Sequence, residues 1–167
     1  MKQLSSLKSP WLHLLVAKAP AVDDLALSLQ SPKSRKRALV RKLRGKAMPN
    51  AAACFNEFAA ALQFPAHFGS NWDALDECLN DLEWLSAGAD VSHYVLLISN
   101  ADLVLNAERE RRATLFSLLS AGGEEWSRRE TPLHTVLACA TDELARALGE
   151  ELDGYDLSVD EFQLKTS

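Results

Sequence analysis

Residues 64–85 read Phe64-Pro65-Ala66-His67-Phe68-Gly69-Ser70-Asn71-Trp72-Asp73-Ala74-Leu75-Asp76-Glu77-Cys78-Leu79-Asn80-Asp81-Leu82-Glu83-Trp84-Leu85. The Phe64-Pro65 pair breaks any helix that precedes it, and Ser70 or Asn71 supplies an oxygen that caps a new one running to about Leu85. Stepped at about 100° per residue, Trp72, Leu75, Leu79 and Leu82 share one sector of that helix. Asp73, Asp76, Glu77 and Asn80 share the opposite sector, which Trp84 joins if the helix persists that far. The segment therefore predicts a buried apolar stripe and an exposed acidic face.

Two readings of that face stand. Asp73 and Asp76 fall in the first turns, where carboxylates complement the helix dipole. Glu77 fits that account less well, and no lysine follows four residues after any of these acids to form the usual surface pair. Asp73 and Glu77 repel each other mildly across one turn unless a cation arrives from outside. Helix electrostatics and partner binding both remain open on the residues alone.

Outward from this segment, apolar runs and helical periodicities alternate. Residues 11–17 read as a strand and 21–30 as a short helix, with a polar link at 31–36. A strand follows at 37–43, ending at Gly45. Residues 50–62, with Phe55, Phe58 and Leu62 at helical spacing, form a helix capped by Asn50. A continuous apolar run at 94–99 has the character of a strand covered on both faces. Residues 108–126 read as a helix, with Ala121-Gly122-Gly123 as a kink or break. A further strand is expected at 135–140, then a helix capped by Thr141 that runs to about Leu148. From Gly154 the tail reads as extended or loosely packed. Strands alternating with helices predict an α/β protein with right-handed crossovers.

Charge is distributed unevenly. Residues 1–46 carry 11 Lys/Arg and 2 Asp/Glu, residues 47–108 carry 9 Asp/Glu and no Lys or Arg, and residues 109–167 carry 7 basic and 12 acidic side chains. A middle segment without a permanent cation makes an acidic surface hard to avoid. The basic run Lys33, Arg35, Lys36 and Arg37, continued by Arg41, Lys42, Arg44 and Lys46, suggests nucleic acid at first sight. It alternates with aliphatic residues and lacks aromatics for base stacking, so it reads instead as a charged strand edge that resists aggregation.

The whole chain of 167 residues, 47% hydrophobic and 25% charged, suits one globular domain with a core of its own. No apolar run approaches the ~18 residues of a membrane span. Cys54, Cys78 and Cys139 are odd in number and widely spaced, which predicts buried, reduced thiols. His13, His67, His93 and His134 lie too far apart in sequence to suggest zinc. Lys2 and Lys8 ahead of a seven-residue apolar run imitate a secretion signal, but the run contains His13 and is too short. A cytoplasmic address is expected. Phosphate-binding glycine loops and the G-x-S-x-G nucleophile turn are absent from the sequence.

The pattern Phe64-Pro65-x-x-Phe68-Gly69-x-Asn71-Trp72-Asp73-Ala74-Leu75-x-Glu77-Cys78-Leu79 resembles the signature of the barstar family, intracellular inhibitors of the ribonuclease barnase. The resemblance extends over roughly 36–148, strongly at 64–82. It implies a small parallel three-stranded sheet flanked by helices, with an extra N-terminal strand possible at one edge. It also implies an organisation of an N-terminal extension at 1–35, a barstar-like domain at 36–150 and a tail at 151–167. In function it implies an inhibitor that plugs the active site of a basic ribonuclease with this helix and its preceding loop. By position, Asp73 and Glu77 match the family's main acidic contacts. Gly69 and Asn71 match interface loop residues, and His67 takes the place of an aromatic. Asp76 stands where barstar has tryptophan, and Glu77 where it has aspartate. Asp76, Asn80 and Trp84 complete the expected partner-binding set, Trp84 as an exposed aromatic. Gly69 is expected to take a positive φ or to allow a partner's close approach.

These readings predict a protein partner, no direct nucleic acid or membrane contact, a monomer when free, and no cofactor or metal. Two rivals are weighed against inhibition. Catalysis by Asp73, Asp76 and Glu77 would need a second wall of ligands or a separated acid–base pair, which one helix face does not supply. An interaction protein of the same fold that binds another basic toxin or a regulatory protein would use the same acidic face.

Overall fold

The computed structural model describes residues 2–31, 37–88 and 90–162. Strand β1 (Leu12–Val16) leads into helix α1 (Ala19–Leu29), and β2 (Ala38–Arg44) into α2 (Ala51–Leu62) and α3 (Trp72–Leu79). Then come β3 (His93–Ser99), α4 (Arg112–Arg128), β4 (Leu133–Cys139), α5 (Asp142–Asp153) and β5 (Val159–Glu161). All strand pairs are parallel, in the order β2-β3-β4-β1-β5.

The sheet therefore has five strands, not the three expected. The three that the resemblance implied, β2, β3 and β4, are contiguous, and β1 and β5 continue the sheet from β4. β1 is not an edge strand: it pairs with β4 from Leu12↔Thr135 to Val16↔Cys139, and with β5 on its other side. The tail joins the sheet as that short outer strand. The boundary expected at residue 35, the polar link after Ser31, and the cations Lys33, Arg35 and Lys36 fall outside the described residues.

Strand order dictates how the helices are distributed. The step from β1 to β2 runs across the sheet in one direction, and the steps from β2 to β3, β4 and β5 run in the other. Right-handed crossovers then put α1 on one face and α2 to α5 on the opposite face. The core divides accordingly. Phe58, Leu75, Leu79, Phe116 and Leu148 pack with Leu96, Ile98 and Leu137 in one cluster. Val22, Leu25 and Leu29 of α1 pack with Leu15, Val95, Leu97 and Val136 in the other, together with Leu4 from the amino-terminal turn. β4 is buried along its whole length and β3 along all but its last residue, as continuous apolar strands between two helical layers should be.

Local signals hold at most helix starts. Asn50 accepts from the Ala53 amide at 2.9 Å, and Thr141 from the Leu144 amide at 3.3 Å. The expected break at Gly122-Gly123 does not occur, because α4 runs unbroken through both residues. A Cβ on Gly123 would stand 2.5 Å from the Cβ and Cγ of Trp11 and 2.9 Å from the Leu133 carbonyl oxygen. Gly123 is there so that α4 can close onto the start of β1 and β4. Cys54 and Cys139 are buried free thiols, whereas Cys78 is only half-buried. Burial pushes Cys54 up to about 12 and Cys139 up to about 11. No helix among the described residues is long and apolar enough to cross a membrane.

Candidate protein-binding face

α3 owes its position to an aromatic hinge. Gln63 ends α2 in the left-handed conformation at φ 52°, and the chain turns back through Phe64-Pro65. The Phe68 amide closes the turn on the Pro65 carbonyl at 2.9 Å. Phe68 packs on Phe64 and Phe55 with ring centroids 4.9 and 6.3 Å away, and Trp72 meets Phe55 edge-on at 4.8 Å. Trp72 is thus half-buried against α2, in line with its place on the apolar stripe. Asn71 rather than Ser70 caps α3: its side-chain oxygen accepts from the Ala74 amide at 2.8 Å, and its amide reaches the Gly69 carbonyl at 3.3 Å. The positive φ expected of Gly69 falls on Ser70 instead, at 49°. Gly69 is exposed, and a Cβ on it would press the Asn71 amide at 3.0 Å, so its small size spares the cap.

With Leu75 and Leu79 fully buried, the opposite sector of α3 faces outward. Asp73 and Glu77 are exposed and Asp76 half-buried; His67 in the loop is exposed, and Asp81 and Glu83 extend the acidic surface. Among the described residues no lysine, arginine or histidine forms a salt bridge with any of these carboxylates. Their field reaches the neighbouring groups. The Cys78 thiol is raised above its ordinary value, first by burial and then by the charges of Glu77 and Asp81. The Tyr94 hydroxyl is raised by burial and by Glu83 and Asp81.

Two expected contacts sit differently. α3 ends at Leu79 rather than near Leu85, and a separate 3-10 turn spans Glu83–Ser86. Trp84 therefore leaves the acidic sector. Its ring is half-buried against Phe64 at 6.2 Å and its indole N–H donates to the Leu62 carbonyl at 2.9 Å, so it braces the hinge instead of standing exposed. Asn80 is turned toward α4. Its amide donates to Asp76 at 3.0 Å, while its side-chain oxygen is buried 4.0 Å from where a Cβ on Gly122 would lie.

The sequence reading did not include Arg128 and Arg129, which close one end of this face. Arg129 donates to the Asn80 carbonyl at 2.8 Å, ties to Glu125 at 3.1 Å and stacks its guanidinium over Trp126 at 4.8 Å. Arg128 pairs with Glu125 at 3.2 Å and Glu124 at 3.6 Å. Together with Asp76 and Asn80 these residues line a shallow groove of about 400 Å³ between α3 and α4. Nothing near Asp76 in the sequence announces them; only the packing of α4 on α3 brings them there. No group of three His, Cys, Asp or Glu side chains among the described residues is arranged to hold a metal ion.

The fold and this face define an α/β protein that displays unneutralised carboxylates on a short, well-anchored helix. The chain matches the family Barstar (barnase inhibitor) over residues 38–138, from the first residue of β2 almost to the end of β4. It belongs to that family. No curated protein matches the chain by sequence. Among solved structures, the ORC2 protein of Aeropyrum pernix, determined as ADPNP–ADP complexes, is similar with a TM-score of 0.56 at 11% identity. The match covers 90% of this chain and 41% of that one, and at such identity the likeness is one of fold alone. In the present chain the turn from β1 to α1 reads Ala17-Lys18-Ala19-Pro20 and carries no glycine.

Proposed function

We propose that the chain inhibits a basic ribonuclease by laying α3 and the loop before it across the enzyme's cationic cleft. A ribonuclease site gathers cationic side chains that hold phosphates and stabilise charge in the transition state. Carboxylates on a rigid helix can fill the same subsites and offer no bond to cleave. Asp73 and Glu77 would make the central contacts, with Asp76 beside them and His67, Gly69 and Asn71 lining the loop rim. Asn80 and Trp84 would serve as supports for this surface rather than contacts. The role is binding rather than catalysis, by a protein that is monomeric when free, in a cytoplasm that keeps its thiols reduced.

The single observation that supports this reading is the outward acidic sector of α3, whose carboxylates form no salt bridge with a cation among the described residues. The test is a titration of the purified protein against barnase and against other basic ribonucleases, with RNA cleavage as the readout. One equivalent is expected to abolish cleavage by the cognate enzyme, with an association rate that falls steeply as salt rises. Unchanged cleavage in every case, with no binding at micromolar protein, would overturn it.

A further inference from the structure

α3 is eight residues long, and a helix that short does not persist in water on its own. Its charges work against it as well. Asp73 and Glu77 repel each other across one turn, and Glu77 lies toward the carboxyl end, where the helix dipole disfavours a carboxylate. Asn71 caps the amino end. The carboxyl end is secured from α4.

The last carbonyls of a helix have no partner within it. Here the indole N–H of Trp126 donates to the Leu79 carbonyl at 2.8 Å, and the Arg129 guanidinium donates to the Asn80 carbonyl at 2.8 Å. The two residues are one turn apart on α4, so the same side of that helix presents both. The Trp126 ring packs against Tyr94 of β3 with centroids 4.8 Å apart, and Arg129 stacks over it at 4.8 Å. Glu125 holds a second guanidinium nitrogen of Arg129 at 3.1 Å. The Tyr94 hydroxyl in turn approaches the Leu82 carbonyl at 3.5 Å. A cation placed at this end of α3 also suits its dipole. Arg128 has the same charge but pairs with Glu124 and Glu125, and among the described residues it makes no bond to α3.

We propose that Trp126 and Arg129 are positioning residues for the binding face: they clamp the carboxyl end of α3 onto α4 and so hold Asp73, Asp76 and Glu77 in place before a partner arrives. The consequence for affinity rests on the reading of α3 as the inhibitory surface; the clamp itself does not. A helix ordered in advance loses less conformational freedom on binding, which favours affinity without any new contact. Trp126 is 3% exposed, so it acts on a partner only through α3.

The test compares three variants of the full chain, Trp126→Phe, Arg129→Gln and Arg128→Gln, the last two matched in charge. The Asn80 amide, which donates to the Asp76 carbonyl at 3.0 Å, reports the carboxyl end of α3 by hydrogen exchange. Measured against the amides of β4, its exchange should quicken about tenfold in Trp126→Phe and Arg129→Gln, and stay within about twofold of wild type in Arg128→Gln. Affinity for the cognate ribonuclease should weaken about tenfold in the first two and hold within about twofold in the third. Exchange that quickens equally in β4 would mean a general loosening of the fold, and equal effects in Arg128→Gln and Arg129→Gln would mean charge alone; either would overturn the clamp. Selective exchange with unchanged affinity would overturn the positioning role. If the wild type binds no ribonuclease, the proposed function fails and the exchange comparison alone decides the clamp.

Discussion

Two acidic helix surfaces lie side by side on this protein. On α4, Glu124 and Glu125 are each paired to arginines one turn further on, so their charge is largely spent within the helix. On α3, Asp73 and Glu77 are exposed and form no salt bridge with a cation among the described residues. Glu57 marks the opposite extreme. It is 9% exposed and held by Arg44 through bonds of 2.8 and 2.9 Å, with a third at 2.9 Å from the Arg44 amide. Carboxylates on one small fold thus range from internally satisfied to bare, and net charge alone does not distinguish them. What separates α3 is that its carboxylates meet no cation among the described residues, which under the proposed function would leave them for a second molecule.

Reversing Asp73 and Glu77 to lysine puts the comparison under the greatest stress. Affinity for the cognate ribonuclease should drop by well over a hundredfold, since truncating one buried interface charge costs ~2–5 kcal/mol. The melting temperature should fall by no more than a few degrees, because neither side chain has a salt-bridge partner among the described residues and Asp73 only complements the start of α3; a larger thermal shift would mean that α3 needs them structurally. Glu57→Gln should show the reverse profile, with stability reduced by roughly 1–2 kcal/mol and binding unchanged. Arg44 holds the Glu57 carboxyl below its ordinary value, against the cost of burial. That contribution is present above the usual carboxylate pKa and is lost as pH falls through the folded-state value. The acid limb of a pH–stability curve should therefore flatten in Glu57→Gln and keep its shape in the α3 double variant.

A subtler measure uses Cys78 as a resident probe. Removing the nearby charge with Glu77→Gln and Asp81→Asn should speed its alkylation at neutral pH by about two- to threefold, as more of the thiol ionises. Equal rates would mean that solvent already screens these acids. Glu125→Gln, on the self-paired helix, should alter both stability and affinity least. About half a kcal/mol is the expected ceiling, as for exposed ion pairs generally.

Most elements of the fold were legible because their cues are local. Asn50, Asn71 and Thr141 mark helix starts by side-chain chemistry, and the continuous apolar runs at β3 and β4 mark strands covered on both sides. Sheet order was not legible. β1 shows its own pattern but not its neighbours, because in a parallel sheet the crossovers choose them. Gly122-Gly123 carried the wrong message for a related reason: a glycine pair looks like a break until Trp11, more than a hundred residues away, is packed against it. The acidic face was readable from helical spacing alone. Its limits were not, since Trp84 and Asn80 depend on where α3 stops and on what α4 brings alongside. The contacts of His13 with His134 and Asp160 across β4, β1 and β5 left no trace in the sequence, because each residue is isolated along the chain.

The placement of β1 has a practical bearing on any shortened version of this protein. Cutting back to residues 38–138 would keep the matched segment but remove the partner of β4, a strand buried from Leu133 to Cys139. An interior strand rich in Leu, Val and Ala would become a raw border, open to pairing with other chains. Expression trials on such a fragment should meet inclusion bodies before they meet any question of activity.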